Sequence, residues 1–234
     1  MKTRTARPIP LSITALIAFL SAVAALAFTN GHDAHAHGAQ AHSHPAVAHG
    51  SGKITPEELA FRNDMRVLWE DHVTWTRLAV ISLLGNTPDT SATVGRLLQN
   101  QTDIGNAIKP FYGDAAGNAL TDELRKHILI AADLIAAAKA GNADQVAAQQ
   151  ARWHQNAEDI AALLNSVNPE FWNQDAVLAM LDEHLRLTTD EVVARLQGNW
   201  AADVASYDRI HHHALGMADT LSTGIIEQFP KRFR

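Results

Sequence analysis

Apolar residues recur at spacings of three and four along residues 54–234, which is the period of an amphipathic helix. Glycine, or clusters of Asn, Pro and Asp, interrupt this pattern, and no alternating run of β-branched residues predicts a strand. The chain is therefore predicted to be all-α. Six helices are expected, near residues 56–84, 89–112, 117–140, 143–165, 174–197 and 200–228.

The first helix has a clear start signal. Thr55 suits the N-cap position, Pro56 suits the first helical position, and Glu58 completes a capping box. A single helical-bundle domain is therefore expected over residues 54–234.

A repeat runs through this domain. The segments LWEDHVTWT (68–76), LRKHILIAA (124–132) and LDEHLRLTT (181–189) align on their histidines. Each histidine is followed 13 or 14 residues later by a glycine and an asparagine, a pair that suits the end of a helix. The repeat predicts a six-helix bundle built from three tandem antiparallel helical hairpins.

The repeat also predicts a layer of interior histidines. His72, His127 and His184 lie on apolar helix faces, where an imidazole requires a hydrogen-bond partner or a metal. In the run YDRIHHHALGMAD (207–219), successive side chains point about 100° apart, so three adjacent histidines cannot hold one ion. His211 is expected to face inward and His212 to face solvent, with His213 between them.

These observations define a candidate metal site in the bundle. Its proposed ligands are the inward-facing histidines of the repeat and its register: His72, His127, His184 and His211. Carboxylates that could assist are Glu70, Asp71, Asp103, Asp182, Glu183 and Glu191. The alternative is that these histidines are purely structural and satisfy hydrogen bonds in a core.

The composition narrows the kind of metal. The chain has no cysteine, which excludes thiolate zinc sites, covalent c-type haem attachment and iron–sulfur clusters. A ferritin-like di-iron site needs two Glu-x-x-His motifs, and the body offers only Asp208-x-x-His211 in their place. Zn²⁺, Cu²⁺ or Ni²⁺ with nitrogen and oxygen ligands is the expected class.

Two asparagines recur in the second helices of the repeat. Asn100 and Asn156 each precede an aspartate by three residues. Because Asn is a poor interior helix former, its repetition suggests cross-helix hydrogen bonds or contact with a ligand.

The N-terminal region predicts export. Residues 1–28 have a basic start, an apolar stretch and Ala-Leu-Ala, as in a secretory signal peptide; the alternative is an uncleaved N-terminal membrane anchor. Residues 29–53 form a tail of low complexity that is expected to be disordered. Its histidines could capture metal ions weakly: His32, His35, His37, His42, His44 and His49.

Charge and motifs limit the function. Removal of residues 1–28 takes away three basic residues and no acidic ones, which moves the formal charge from −6 to −9 and argues against nucleic acid as a partner. No nucleophile elbow, zincin motif or phosphate-binding loop favours an enzyme.

The expected function is a periplasmic or extracellular protein that binds metal ions for buffering, delivery or sensing. The alternative is a non-catalytic bundle that binds a small molecule or a protein partner.

The segments WEDHVTWTR (69–77) and NQTDIGNAIKPFYG (100–113), with the run at 207–219, resemble a family of poorly characterised exported or membrane-associated bacterial helical proteins. The resemblance covers nearly all of residues 65–230 and implies a shared six-helix body, without a reaction. Some members carry a glycosyltransferase label, which the all-helical pattern does not support. The family has tyrosine where this chain has His154. It matches His211 and His213 among the clustered histidines, which favours these two over His212 and adds His213 to the candidate metal ligands of the bundle.

Overall fold

The structure is a computed structural model that describes residues 53–234; the predicted signal peptide and nearly all of the histidine-rich tail lie outside them. The described part contains five α-helices and no strand, so the all-α prediction is confirmed. We number the helices α1 to α5 in chain order: Pro56–Gly85, Thr90–Lys139, Ala143–Val167, Gln174–Leu196 and Trp200–Gln228. A short 3-10 helix, Pro230–Arg232, follows.

The helices close into a bundle. Each packs against its neighbour in the chain, and α5 returns to pack against α1. The contact between the two ends is reinforced where Thr55 Oγ1 donates a hydrogen bond to Phe233 O at 2.7 Å. The same oxygen accepts from Glu58 N at 3.1 Å, which confirms Thr55 as the N-cap of α1. None of the helices among the described residues is long and apolar enough to cross a membrane.

Glycines end two of the helices as the repeat indicated. Gly141 and Gly198 have φ values of 70° and 68°, the left-handed conformation that a side chain disfavours. At the end of α1, the left-handed residue is Asn86, with a φ of 51°, and not Gly85. Asparagine tolerates this conformation better than most residues because its short amide can bond locally.

The prediction of six helices is not confirmed, because one 50-residue helix, α2, spans both the second and the third predicted helices. Gly113 interrupts it with a φ of 82° and a ψ of 170°. In a straight helix, residues 105 and 117 would lie about 18 Å apart. They are in contact instead, because a Cβ atom on Gly105 would lie 2.5 Å from Gly117 O. The chain therefore reverses direction at Gly113, close to the predicted break.

The reversal depends on glycine at the crossing. A Cβ atom on Gly117 would lie 2.6 Å from Gly105 O, which mirrors the contact from the other side. Further along, Arg125 Nη1 donates to Leu98 O at 3.1 Å, so the two parts of α2 run antiparallel. Backbone oxygens cannot move aside as the end of a flexible side chain can, and both positions therefore exclude larger residues.

Gly105→Ala is expected to lower the free energy of unfolding by about 1–3 kcal/mol, because the added methyl group overlaps backbone at the crossing. Gly95→Ala is the matched control within the same helix, since nothing lies within 4 Å of its added Cβ atom. The control should raise stability by about 0.5–1 kcal/mol through helix propensity. Urea denaturation measures both; equal effects of the two substitutions would contradict the close crossing.

A buried histidine cluster as the candidate functional site

Four histidines from four parts of the chain meet inside the bundle. The ring of His184 on α4 has its centroid 5.6 Å from that of His72 on α1 and 6.2 Å from that of His127 on α2. His213 on α5 stacks on its other side, also at 6.2 Å. We call these four residues the histidine cluster. His184 is at its centre, since it contacts each of the other three rings.

Burial of the cluster follows from the helix faces that carry it. His72, His127 and His184 are each at most 4% exposed, as the apolar stripes around them predicted. Indole rings cover two of them: Trp69 lies against His72 at 5.6 Å, and Trp153 lies against His127 at 5.1 Å. The three imidazoles are therefore shielded from water, and any polar partner must come from the protein itself.

An amide orients His127. Asn156 Nδ2 donates to Glu123 O at 3.2 Å and to Glu123 Oε2 at 3.0 Å. This leaves Asn156 Oδ1 as the acceptor for His127 Nδ1, at 2.9 Å. The bond assigns the proton of His127 to Nδ1, so that Nε2 carries the lone pair. A histidine held in this way by its second nitrogen is the usual form of a metal ligand.

Amides also hold His72. Gln101 Nε2 lies 3.2 Å from His72 Nδ1, and Gln101 is itself fully buried. Asn100 donates to Leu68 O at 2.9 Å, one turn before His72. The repeated asparagines thus make cross-helix hydrogen bonds, as one of the two sequence interpretations expected.

His184 lacks such support at one nitrogen. Its Nδ1 atom is buried and has no hydrogen-bond partner. An unpartnered buried polar atom lowers stability by about 1–3 kcal/mol, so it requires an explanation. His213, by contrast, lies within 3.0 Å of Met180 O through its Nε2 atom.

Three of the four rings, those of His72, His127 and His184, are neutral at physiological pH. Burial lowers the pKa of His72 and of His127 to about 4, and hydrogen bonds to amides oppose this only in part. Burial also lowers the pKa of His184 well below its usual value, and the three neighbouring imidazoles lower it further. Neutral imidazole is the form that binds metal ions.

The other candidate histidines lie nearer the surface. His211 Nε2 lies 2.9 Å from Glu70 Oε1, and about a third of the His211 side chain is exposed. His212 is exposed, as expected. His154 Nδ1 lies 2.8 Å from Asp182 Oδ1. His213, and not His211, is therefore the member of the run that reaches His184.

The carboxylates suggested as further ligands form pairs elsewhere. Their partners are basic, imidazole or amide groups: Glu70 with His211, Asp71 with Arg96, Asp103 with Gln99, Asp182 with His154, Glu183 with Arg186 and Glu191 with Arg77. Within residues 53–234, no three His, Asp or Glu side chains are arranged, as they stand, to hold a metal ion. The six tail histidines lie outside the described residues.

A second buried polar group consists of charged side chains, and the sequence pattern did not predict it. Arg77 donates to Glu191 at 2.6 Å and to Asp203 through two nitrogens, and Arg195 donates to Asp203 at 2.7 Å. Glu191 and Asp203 are each 1% exposed. Burial raises the pKa of Glu191 and lowers that of Arg77, but hydrogen bonds to the two carboxylates outweigh this and leave the pKa of Arg77 above its usual value. No motif or spacing marks these four residues as partners.

An apolar cavity of about 30 Å³ lies beside the histidine cluster. Trp69, which packs on His72, lines it. Met65, Met180 and Met217 also line it, and these are three of the four methionines of the chain. The other lining residues are apolar too, so the space offers water no strong partner.

No protein-family model matches the chain, and it matches neither a curated protein nor a solved structure.

His184→Leu is expected to leave the free energy of unfolding unchanged or to raise it by about 1 kcal/mol, because the substitution removes an unpartnered buried nitrogen. His127→Leu is the matched control. It leaves Asn156 Oδ1 without its donor and should lower stability by about 1–3 kcal/mol. Urea denaturation of both variants at neutral pH tests this contrast, and a larger loss for His184→Leu than for His127→Leu would contradict it.

Acid should destabilise the fold through these histidines. Because the pKa of His72 and of His127 falls from 6.5 to about 4 on folding, the unfolded chain binds protons that the folded chain does not. The stability contributed by the neutral rings is full above pH 6.5 and is lost as the pH falls towards 4. We expect a loss of about 2 kcal/mol or more between pH 7.5 and pH 5 by urea denaturation. His127→Leu should reduce this loss, whereas His212→Gln should not.

Proposed function

We propose that this protein is exported and binds a transition-metal ion of the Zn, Cu or Ni class at the histidine cluster, for buffering, delivery or sensing. The observation that carries this proposal is His184, a buried imidazole with one unpartnered nitrogen and three other imidazoles around it. Buried polar atoms are normally satisfied, and a bound ion would satisfy this one.

The state of the neighbouring rings supports the proposal. His127 presents the lone pair of Nε2 because its proton is on Nδ1, which donates a hydrogen bond to Asn156 Oδ1. The lowered pKa values keep His72, His127 and His184 neutral at pH 7, so an ion does not need to displace protons from them. As the rings stand, no three of them converge on one point. Binding therefore requires the rings to turn about their side-chain torsions.

The rest of the sequence interpretation fits this role. Residues 1–28 favour export, and the six tail histidines would capture ions loosely before the bundle holds one. We further propose that the bundle is three tandem hairpins, with the two parts of α2 on either side of Gly113 serving as separate arms. The reversal at Gly113 and the left-handed Gly141 and Gly198 support this division.

The competing proposal is a non-catalytic bundle that binds a small molecule or a protein partner, with purely structural histidines. The amide bonds to His72 and His127 favour it, because hydrogen bonding alone satisfies one nitrogen in each ring. It does not account for the unpartnered nitrogen of His184.

A thermal unfolding experiment separates the two proposals. The full chain is used with all six tail histidines replaced by glutamine, so that the tail does not contribute. An ion at 100 times its dissociation constant should stabilise the fold by about 2.7 kcal/mol. For a domain of this size, the midpoint should then rise by roughly 5–10 °C.

The controls are two single substitutions in the same background. His184→Leu should abolish the rise, and His212→Gln, which removes an exposed histidine, should preserve it. No rise with Zn²⁺, Ni²⁺, Cu²⁺, Cu⁺ or Ag⁺, or an equal rise in the His184→Leu variant, would reject the metal proposal for the bundle.

A further inference from the structure

The surroundings of the buried rings indicate the charge of the ion that they could hold. The hydrogen bonds and ring contacts of His72, His127 and His184 are with amides, indoles and other imidazoles, and none is with a carboxylate. A cation bound between these rings would therefore keep its full charge in an apolar core. The cost of burying an ion rises with the square of its charge, so a dication pays about four times the cost of a monocation.

The arrangement of the rings indicates that no more than two imidazoles bind one ion. No three His, Asp or Glu side chains converge among residues 53–234, and a soft monovalent ion such as Cu⁺ or Ag⁺ does not need a third, since thioether sulfur can complete its ligands. Two imidazoles joined through one ion, with metal–nitrogen distances of about 2.0 Å, have centroids roughly 6 Å apart. The centroids of His127 and His184 lie 6.2 Å apart, as do those of the stacked rings of His184 and His213, so either pair can share one ion once the rings turn their nitrogens towards it.

Methionines stand at a regular spacing from these histidines along two helices. Met180 precedes His184 by four residues on α4, and Met217 follows His213 by four residues on α5. Residues four apart share a helix face, and α4 packs against α5, so the two methionines lie one turn to the same side of the two histidines. Both line the apolar cavity. Met65 also lines it, but it lies seven residues from His72 on α1.

Thioether sulfur selects Cu⁺ among the biological metals, and imidazole also suits copper. Zn²⁺ and Ni²⁺ gain little from a thioether and would lack a counter-charge beside the three buried rings. Methionine is also a common filler of irregular core space, so its presence alone would not identify a ligand. Its placement one turn from an imidazole on each of two facing helices is what distinguishes this site.

We propose that the histidine cluster is selective for a soft monovalent cation, Cu⁺, bound by His184 with a neighbouring imidazole and by the thioethers of Met180 and Met217. This inference rests on the proposed function and specifies its ion. No electron transfer takes place in the binding step: a lone pair on each nitrogen or sulfur is donated to the ion.

The test compares Ag⁺, a redox-inert probe of the same charge and softness, with Zn²⁺. Titration calorimetry uses the full chain with the six tail histidines replaced by glutamine. Ag⁺ should bind at least 100 times more tightly than Zn²⁺, and Cu⁺ under ascorbate should follow Ag⁺. The double substitution Met180→Leu and Met217→Leu should weaken Ag⁺ binding at least tenfold while the unfolding midpoint without metal stays within a few degrees.

Met65→Leu is the matched control, because it changes the same cavity at a position further from the imidazoles; it should leave the Ag⁺ affinity unchanged. Zn²⁺ binding as tight as Ag⁺ binding, with both lost in His184→Leu, would overturn the monovalent selectivity and leave the proposed function intact. An Ag⁺ affinity that the double substitution does not change would overturn the thioether ligands. Binding of neither ion in a way that depends on His184 would overturn both proposals.

Discussion

The cost of removing imidazole from water is the constraint around which this bundle is organised. Three histidines are placed where a helical bundle normally has leucine, and each must be kept neutral and given a partner there. The neighbouring helices supply amides for two of them, through Gln101 and Asn156. Those amides are buried as well: Asn156 also donates to Glu123, and Gln101 donates to Leu97 O, although Gln101 Oε1 has no hydrogen-bond partner. This layer of imidazoles and amides therefore determines which residue types can occupy facing positions on several helices.

The histidine cluster and the charged residues around Asp203 meet this cost in opposite ways. Around Asp203, two arginines face two carboxylates, so the charges cancel and every partner is held by hydrogen bonds. Such a group is complete and has no vacant position for a ligand. Around His184, burial keeps the imidazoles of His72, His127 and His184 neutral, and one nitrogen of His184 is unpartnered. A buried neutral group with an unsatisfied nitrogen stabilises a core poorly, but it leaves a lone pair or a donor for a ligand. For this reason we propose a function for the histidines and not for the arginines.

Much of the fold followed from the sequence because its signals are local. Helix periodicity, the Thr55 cap and the glycine stops each depend on a few neighbouring residues. The burial of His72, His127 and His184 also followed, since each lies within a long apolar stripe. The choice between His211 and His213 did not follow. Two residues along a helix turn the side chain by about 200°, and both residues have apolar neighbours, so only packing against α4 decides between them.

The break in α2 likewise depends on packing that local sequence signals do not reveal. The segment around Lys109 and Pro110 indicated an interruption, but helical geometry continues through it, and the direction changes at Gly113 alone. Proline leaves the helix intact there, because the hydrogen bond it removes lies next to the reversal. The sequence could not show that Gly105 and Gly117 would meet across this turn, since their contact depends on the path of the whole chain.

The proposed repeat explains why the cluster is centred on one residue and not arranged symmetrically. His72, His127 and His184 are at equivalent positions of the three proposed hairpins, and α5, the second arm of the last one, packs against both α4 and α1. His184 therefore has a neighbouring imidazole on its own hairpin partner, His213, in addition to the two from the other hairpins. The methionines one turn away occur on these same two helices, α4 and α5. In the first proposed hairpin the methionine, Met65, is seven residues from His72, so we assign the proposed ion to the third proposed hairpin, where a methionine is one turn from a histidine on both helices.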